Sequence, residues 1–334
     1  AARLVDSGRS VFGIMLRLWS APGSTNRCCS PADVERARRV ARQLGIPFYV
    51  LDMQKPFRDH VVSVFLDGYA QGRTPNPCIT CNRQVRFTNM LQAARSMGAT
   101  KMATGHYARL ELGPTGPILS RGLDVAKDQS YVLSMLTRNE LAQAAFPLGE
   151  MTKPEVREYA RRLGLAVADR PESQDLCFLG GRDYRDVLRE MDGARLVPGP
   201  ILDVNGNILG EHRGLADYTI GQRKGIQIAG PKALYVVAKD PDRNALVVGP
   251  RSALGRTTFR TEGVNWISHE PPVLPLSVAV QIRYRAPARP AEVIPGDDRA
   301  VEVRLHEPAP DVTPGQYAVF YDGDRCLGGG MIVE

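Results

Sequence analysis

Ser30-Pro31-Ala32-Asp33-Val34-Glu35-Arg36-Ala37-Arg38-Arg39-Val40-Ala41-Arg42-Gln43-Leu44-Gly45 runs directly into Ile46-Pro47-Phe48-Tyr49-Val50-Leu51. Ser30 offers an N-cap oxygen, Pro31 suits the first helical position, and Asp33 places an acid three residues after the cap. Val34, Ala37, Val40, Ala41 and Leu44 recur at helical spacing, and Gly45 supplies the left-handed residue that ends a helix. Ile46–Leu51 reads as a strand, and upstream Val11–Leu18 reads as another. Strand, helix and strand in this order form the repeating unit of a parallel sheet.

The alternation continues outward. A helix is predicted over about Phe57–Ala70, with Val61, Val64 and Phe65 inward. A Gly/Pro-rich loop, Gly72–Pro77, leads into a helix from about Ile79 to Met97 that Gly98 closes. The strand Ala99–Thr104 ends in Gly105-His106-Tyr107, and parallel sheets bind ligands beyond the carboxyl ends of their strands. Thr152-Lys153-Pro154-Glu155 opens a further capped helix, which ends at Gly164. From about Val197 helical periodicity stops. Asn205-Gly206 and Asp242–Asn244 mark hairpins, and Pro271–Pro275 reads as a linker. Strands over Val278–Tyr284, Val301–Leu305, Ala318–Tyr321 and Met331–Val333 complete the chain. The expected class is α/β: a parallel-sheet domain over residues 1–195, a small β-rich central domain over 196–258, and a β-barrel over 259–334.

Of 334 residues, 43% are hydrophobic and 24% charged, which excludes disordered and collagen-like chains. No apolar run approaches the roughly 18 residues that a membrane helix needs. The best stretch, Val11–Trp19, is broken by Arg17. The formal charge is +7, and 36 of the 43 cations are Arg. An Arg-rich compositional bias explains that, and so does a polyanionic partner, since the guanidinium fork matches phosphate. Six cysteines are too few for a disulfide scaffold, and the start carries no secretory leader pattern. The expectation is a cytoplasmic protein without membrane attachment, whose thiols are available for chemistry or metal.

The chemistry concentrates in Thr74-Pro75-Asn76-Pro77-Cys78-Ile79-Thr80-Cys81-Asn82. Two thiols open a helix behind a rigid Pro-x-Pro loop, where the positive helix end is expected to lower their pKa. Half a zinc site or a thioredoxin-like redox pair fits the same spacing, although no second ligand pair follows. A third thiol, Cys177, lies in the polar loop Glu172-Ser173-Gln174-Asp175-Leu176-Cys177-Phe178-Leu179-Gly180, while Cys28, Cys29 and Cys326 read as structural. Lys127-Asp128-Gln129-Ser130-Tyr131 is a charged loop entering a helix, suited to phosphate contact or to a solvated turn. Arg283-Tyr284-Arg285 interleaves cation and aromatic on a predicted strand, as base stacking would use and ordinary barrel surface also shows. His106 is either a ligand contact or a satisfied histidine at a strand end.

Taken together, Gly13–Trp19, Arg73–Asn82, Ala103–Tyr107, Lys127–Tyr131, Ser173–Gly180, Tyr218–Gly225, Arg283–Ala286 and Thr313–Tyr321 resemble the tRNA-specific 2-thiouridylase family (MnmA/TrmU). The matches keep the family's order across nearly the whole chain. The resemblance implies a PP-loop ATP pyrophosphatase-like domain of the adenine-nucleotide alpha-hydrolase type, followed by the central domain and a tRNA-contacting C-terminal barrel. It implies that ATP with Mg²⁺ adenylates the C2 oxygen of the wobble uridine (position 34), and that sulfur then displaces AMP. The implied partners are tRNAs for Lys, Glu and Gln and a sulfur donor such as a cysteine desulfurase or sulfur-relay protein.

Carried over by position, Cys177 would hold the persulfide. Cys81 would be the nucleophile that releases sulfur, leaving a Cys81–Cys177 disulfide for reduction. Asn76, Pro77 and Cys78 would contact the extruded base, and Leu16 and Gly105 would line the ATP site. His106, Lys127, Asp128, Gln129, Arg283, Tyr284 and Gln316 would contact tRNA. Extrusion is a physical requirement, because a stacked base hides C2 from a buried thiol.

The sequence departs from the family at two points. The Ser-Gly-Gly-x-Asp-Ser loop that grips the ATP pyrophosphate is not in these residues, and Asp6-Ser7-Gly8 precedes a strand rather than following one. The chain is therefore expected to be an N-terminally truncated piece that turns over ATP only with upstream residues. Cys78 stands where some members carry Asp, so Cys78, Cys81 and Cys177 could instead ligate a [4Fe–4S] cluster with one open iron. Two other readings are a non-catalytic tRNA-binding fragment and an adenylating enzyme acting on a small metabolite. The barrel and Arg283-Tyr284-Arg285 argue against the second.

Overall fold

The Ser30 cap forms as its local sequence dictates. Ser30 Oγ accepts the Asp33 N–H at 3.2 Å, the helix covers Pro31–Gln43, and Gly45 adopts φ +65°. The flanking strands Gly13–Arg17 and Phe48–Asp52 pair in parallel, with Gly13 opposite Phe48 and Arg17 opposite Asp52. This computed structural model describes residues 1–19, 30–169, 176–192, 196–228, 233–268, 271–297 and 300–333. Cys28, Cys29 and the Ser173–Asp175 part of the Cys177 motif lie outside the described residues.

A second parallel pair joins Met102–Ala103 to Ala144–Ala145. Among the described residues no ladder connects it to the first pair, so the expected sheet is present as two parallel pairs. The second is short because the helix Arg138–Ala142 precedes its partner strand directly.

Two long helices carry most of the first core. One runs through Gln54–Phe57, Arg58–Val62 and Ser63–Ala70; the other through Pro77–Thr80, Cys81–Met90 and Leu91–Ser96. In each, the middle stretch is π-helical, with backbone bonds spanning five residues instead of four. Side chains report the same winding: Ser63 Oγ donates to Arg58 O, Thr88 Oγ1 to Arg83 O and Asn89 Nδ2 to Gln84 O. The altered winding corrects one expectation. Val64, expected inward, is 47% exposed, and Val62 takes the buried place beside Phe57, Val61 and Phe65.

The second capped helix covers Lys153–Arg162, with the Glu155 carboxylate reaching back to the Thr152 N–H at 2.7 Å. In the central sheet the strand order is Ile208–His212, Gly199–Leu202, Ala245–Gly249 and Tyr235–Asp240. Both expected hairpins are present, turning at Gly206 (φ +88°) and Asn244 (φ +47°).

The C-terminal barrel has six strands in the order Arg256–Trp266, Val301–Ala309, Arg289–Pro295, Leu276–Gln281, Tyr317–Asp322 and Arg325–Ile332. The last pairs with the first and closes the barrel. Residues 271–275 join two strands of this barrel and are not a linker between domains. Arg283-Tyr284-Arg285, expected on a strand, lies in a turn beyond Gln281. Ala286 N–H donates to Arg283 O at 3.0 Å, Arg285 has φ +65°, and Pro287 offers no N–H to a ladder. The hairpin Ala108–Gly113/Gly116–Arg121, absent from the sequence reading, pairs with the barrel through Ser120–Arg325 and Leu119–Cys326. Among the described residues no helix is long and apolar enough to cross a membrane.

Candidate functional site

The short helix carrying Cys78 starts where Asn76 caps it, its side chain accepting the Cys78 N–H at 3.2 Å, with Pro77 in the first turn. The loop before it is gripped from the barrel. Thr74 N–H donates to Pro314 O at 2.8 Å, and Gln316 Nε2 donates to Thr74 O at 2.7 Å. Tyr131, fully buried, donates to Tyr317 O at 3.0 Å and lies beside the Asn76 side chain. Tyr317 in turn lies beside Thr80, and the Arg283 charge is near both Tyr69 and Tyr131. The central domain contributes Pro241, packed on Gly72, and Lys239, whose Nζ lies 5.9 Å from the Tyr69 ring centroid. Burial pulls the Lys239 ammonium down to about 8, and this Nζ and Thr74 Oγ1 are buried without hydrogen-bond partners among the described residues. All three parts of the chain thus meet along the Gly72–Thr74 segment that leads into Asn76-Pro77-Cys78.

The thiols behave differently from the helix-end expectation. Cys78 is exposed at the surface, yet crowding by surrounding protein pushes its thiol up to about 11, helped by neighbouring Cys81. Burial raises the Cys81 pKa as well, opposed by the charge of the neighbouring Arg86 guanidinium. Loss of hydration outweighs the partial charge at the end of a four-residue helix, which is spread over the N–H groups of its first turn. Cys177 borders the core cluster that contains Cys81; its neighbour Phe178 is buried, with ring centroids 6.0 Å from Phe57 and 5.1 Å from Phe65. Among the described residues Cys78, Cys81, Cys177 and Cys326 are outside any disulfide, so the Cys81–Cys177 bond is not a feature of this state. No three His, Cys, Asp or Glu side chains gather as a metal-ligand set among the described residues. Cys78, Cys81 and Cys177 are therefore not placed to hold an iron–sulfur cluster.

His106 sits on the same side. Its Nδ1 shares a 2.7 Å hydrogen bond with Thr104 Oγ1, and its ring meets Phe146 edge-on at 6.0 Å. Burial, assisted by the charge of Arg86, brings its pKa down to about 3. Gly105, just before it, is exposed, and an added Cβ would meet only Leu148 at 3.7 Å. Leu16, 8% exposed, lies on the other parallel pair.

The Lys127–Tyr131 loop is fastened internally. The Asp128 carboxylate accepts from Gly122 N–H at 2.9 Å, Ser130 N–H at 3.1 Å and Ser130 O–H at 2.8 Å, and pairs with Arg121 at 3.3 Å. Gln129 Oε1 accepts the Tyr107 N–H at 3.0 Å, and its own N–H donates to Tyr107 O at 2.9 Å. Lys127 ends the helical turn Val125–Lys127 and is half-buried. Arg121 stacks 3.7 Å over the Tyr321 ring, whose hydroxyl meets Ser130 Oγ at 3.0 Å. Tyr284 lies 6.0 Å from the Tyr131 ring, with the Arg285 guanidinium 5.5 Å over it. Sequence reasoning did not single out Arg86, Tyr317 or Lys239, because the neighbours that give them a role are brought to them by the winding of the helix and by distant parts of the chain.

Family models match three successive segments: the tRNA methyl transferase HUP domain at residues 1–181, the tRNA methyl transferase PRC-barrel domain at 185–250, and the aminomethyltransferase beta-barrel domain at 256–332. Among curated proteins, a tRNA-specific 2-thiouridylase of Roseiflexus castenholzii is 48% identical, with 100% of this chain and 95% of the relative covered. Those of Chloroflexus aurantiacus and Rickettsia peacockii are 46% and 45% identical, covering 100% of this chain and 94% and 93% of the relatives. On matches that run through all three domains, the chain belongs to the tRNA-specific 2-thiouridylase family (MnmA/TrmU).

Proposed function

We propose that this chain is a tRNA-uridine 2-sulfurtransferase that uses ATP to activate C2 of the wobble uridine. The observation that carries the reading is the convergence of the three parts of the chain on the Gly72–Thr74 segment leading into Asn76-Pro77-Cys78, with Cys81 buried one turn behind. An exposed Asn76-Pro77-Cys78 turn with a buried thiol behind it suits a base taken out of its stack, and the thiol pair suits sulfur chemistry better than methyl transfer, which needs none. The proposed domains are residues 1–195 for catalysis, 196–258 as the bridge, and 259–334 as the tRNA-contacting barrel.

In this reading the uridine O2 attacks the α-phosphorus of ATP, releasing pyrophosphate, with Mg²⁺ accompanying the nucleotide near Leu16 and Gly105. A persulfide on Cys177, charged by a sulfur-donor protein, attacks C2, and AMP leaves with the C–O bond electrons. The Cys81 thiolate then attacks Cys177 Sγ; the S–S bond breaks toward the base, giving 2-thiouridine and a Cys81–Cys177 disulfide. A dithiol reductant returns two electrons. Asn76, Pro77 and Cys78 line the base. His106, Lys127, Arg283 and Tyr284 face the RNA, while Asp128, Gln129 and Gln316 hold the contacting loops.

The test is anaerobic incubation with unmodified tRNA, ATP, Mg²⁺, a cysteine desulfurase with cysteine as the source of persulfide sulfur, and a dithiol reductant, followed by digestion and mass spectrometry for 2-thiouridine. Three proteins run in parallel: this chain, the chain preceded by the family's Ser-Gly-Gly-x-Asp-Ser segment, and that extended chain with Cys177→Ala. Product from the extended chain and none after Cys177→Ala supports the reading. No product from any of them, with tRNA and protein intact, removes it. Replacing Arg283 and Arg285 together should lower tRNA affinity and reduce its salt dependence; unchanged values would detach that turn from RNA.

A further inference from the structure

Cys81 and Arg86 stand five residues apart. On an α-helix, at about 3.6 residues per turn, residue i+5 points well round from residue i. The stretch Cys81–Met90 is π-helical, and its bonds close over five residues, so Cys81 and Arg86 come onto one face. The bonds Thr88 Oγ1 to Arg83 O and Asn89 Nδ2 to Gln84 O, each five residues back, record that register independently along the same stretch. Arg86 is half-buried, and among the described residues no carboxylate pairs with it. Its guanidinium lies beside the Cys81 thiol, and its charge favours the thiolate.

We propose that Arg86 is a positioning residue that stabilises and orients the Cys81 thiolate, brought over it by the π-helical winding. The nucleophilic role of Cys81 rests on the sulfur-transfer reading above; the contact between cation and thiol does not. Burial alone would keep this thiol protonated and inert, and a guanidinium, charged at every accessible pH, opposes that in place. The other ionisable groups on this side do not substitute for it. Cys78 is a neutral thiol, His106 from the segment after Met102–Ala103 is a neutral imidazole, and Tyr317 from the barrel is a neutral phenol beside Thr80 with Arg83 beyond it. Cys177 borders the same core from the turn after residue 176. π-Helical turns recur at functional positions because they re-aim one side chain without breaking the helix. Here the re-aimed side chain is the cation.

The test reads the Cys81 thiolate directly, on the full chain without tRNA or ATP. The rate of iodoacetamide alkylation at Cys81 is followed by peptide mass mapping from pH 6 to 10. Arg86→Met should slow alkylation at pH 7.5 about tenfold and move the profile to higher pH, while Arg86→Lys stays within about threefold of wild type. Arg95→Met, in the last turn of the same helix, should leave the profile unchanged. An Arg86→Met profile that overlays wild type overturns the proposal. Arg86→Gln repeats the measurement without charge if the Met variant does not fold. In the wild type alone, Cys81 should titrate below Cys78, which lies off the face that Arg86 shares with Cys81; the reverse order overturns the proposal whatever the variants do. Failure of the thiouridine assay with this profile intact would count against the sulfur-transfer reading and leave the Arg86 contact standing.

Discussion

Gln316 and Thr74, 242 residues apart in sequence, are joined by a 2.7 Å hydrogen bond from the Gln316 amide to the Thr74 carbonyl. Gln316 is 8% exposed, so little water replaces the bond when it is removed. Gln316→Leu should cost about 1 kcal/mol of stability and raise amide hydrogen exchange across residues 74–78. Exchange at those residues indistinguishable from wild type would show that the barrel does not hold the Asn76-Pro77-Cys78 loop. Gly315 beside it has φ +90°, and a Cβ there would lie 2.9 Å from Thr74 N, so the approach depends on glycine.

Asp128 and Lys127 are neighbours with different expected effects. The Asp128 carboxylate, 7% exposed, is fully used inside the protein by Gly122, Ser130 and Arg121. Asp128→Ala should lower stability by about 2–3 kcal/mol, seen as a fall in denaturation midpoint, with no change in the salt slope of tRNA binding. Lys127→Ala should reduce that slope by about 0.7–0.9. A reduced slope for Asp128→Ala with unchanged midpoint would reassign that carboxylate to the RNA surface.

Where local chemistry decides, the sequence reading and the structure agree. The Ser30 cap, the Thr152–Glu155 box and the turns at Gly206 and Asn244 are settled within four or five residues. The π-helical winding is different: a period of 3.6 is built into any helical reading, so Val64 was placed inward and Arg86 was not seen to share a face with Cys81. The thiol pKa expectation failed for a related reason. A helix end is visible in sequence, but the burial that outweighs it comes from distant elements. Pairing of the Gly116–Arg121 strand with Arg325 and Cys326 spans some 200 residues and leaves no local mark.

Barrel closure depends on Gly328. Its φ is +136°, and a Cβ would sit 1.9 Å from Asn265 O on the strand that closes the barrel. Both the backbone strain and the clash with a carbonyl act against any side chain there. Gly328→Ala should therefore cost roughly 3 kcal/mol or more in equilibrium denaturation. A loss below about 1 kcal/mol would mean that the first and last strands separate at this point without consequence for the barrel.

Cys78 and His106 should both stay uncharged across the physiological range. An acid whose pKa is raised stays protonated until pH approaches that value, so Cys78, pushed up to about 11, is a neutral thiol from pH 5 to 9. A base whose pKa is lowered loses its proton early, so His106, brought down to about 3, is a neutral imidazole over the same range. Alkylation of Cys78 should climb about tenfold per pH unit between 7 and 9 with no plateau. The His106 Cε1–H resonance should show no titration between pH 5 and 9. A His106 midpoint near the ordinary value for histidine would mean that water reaches the ring, and with it the Arg86 side chain. The cation acting on Cys81 would then be screened, and the neutral, dry surroundings that make one guanidinium decisive there would be absent.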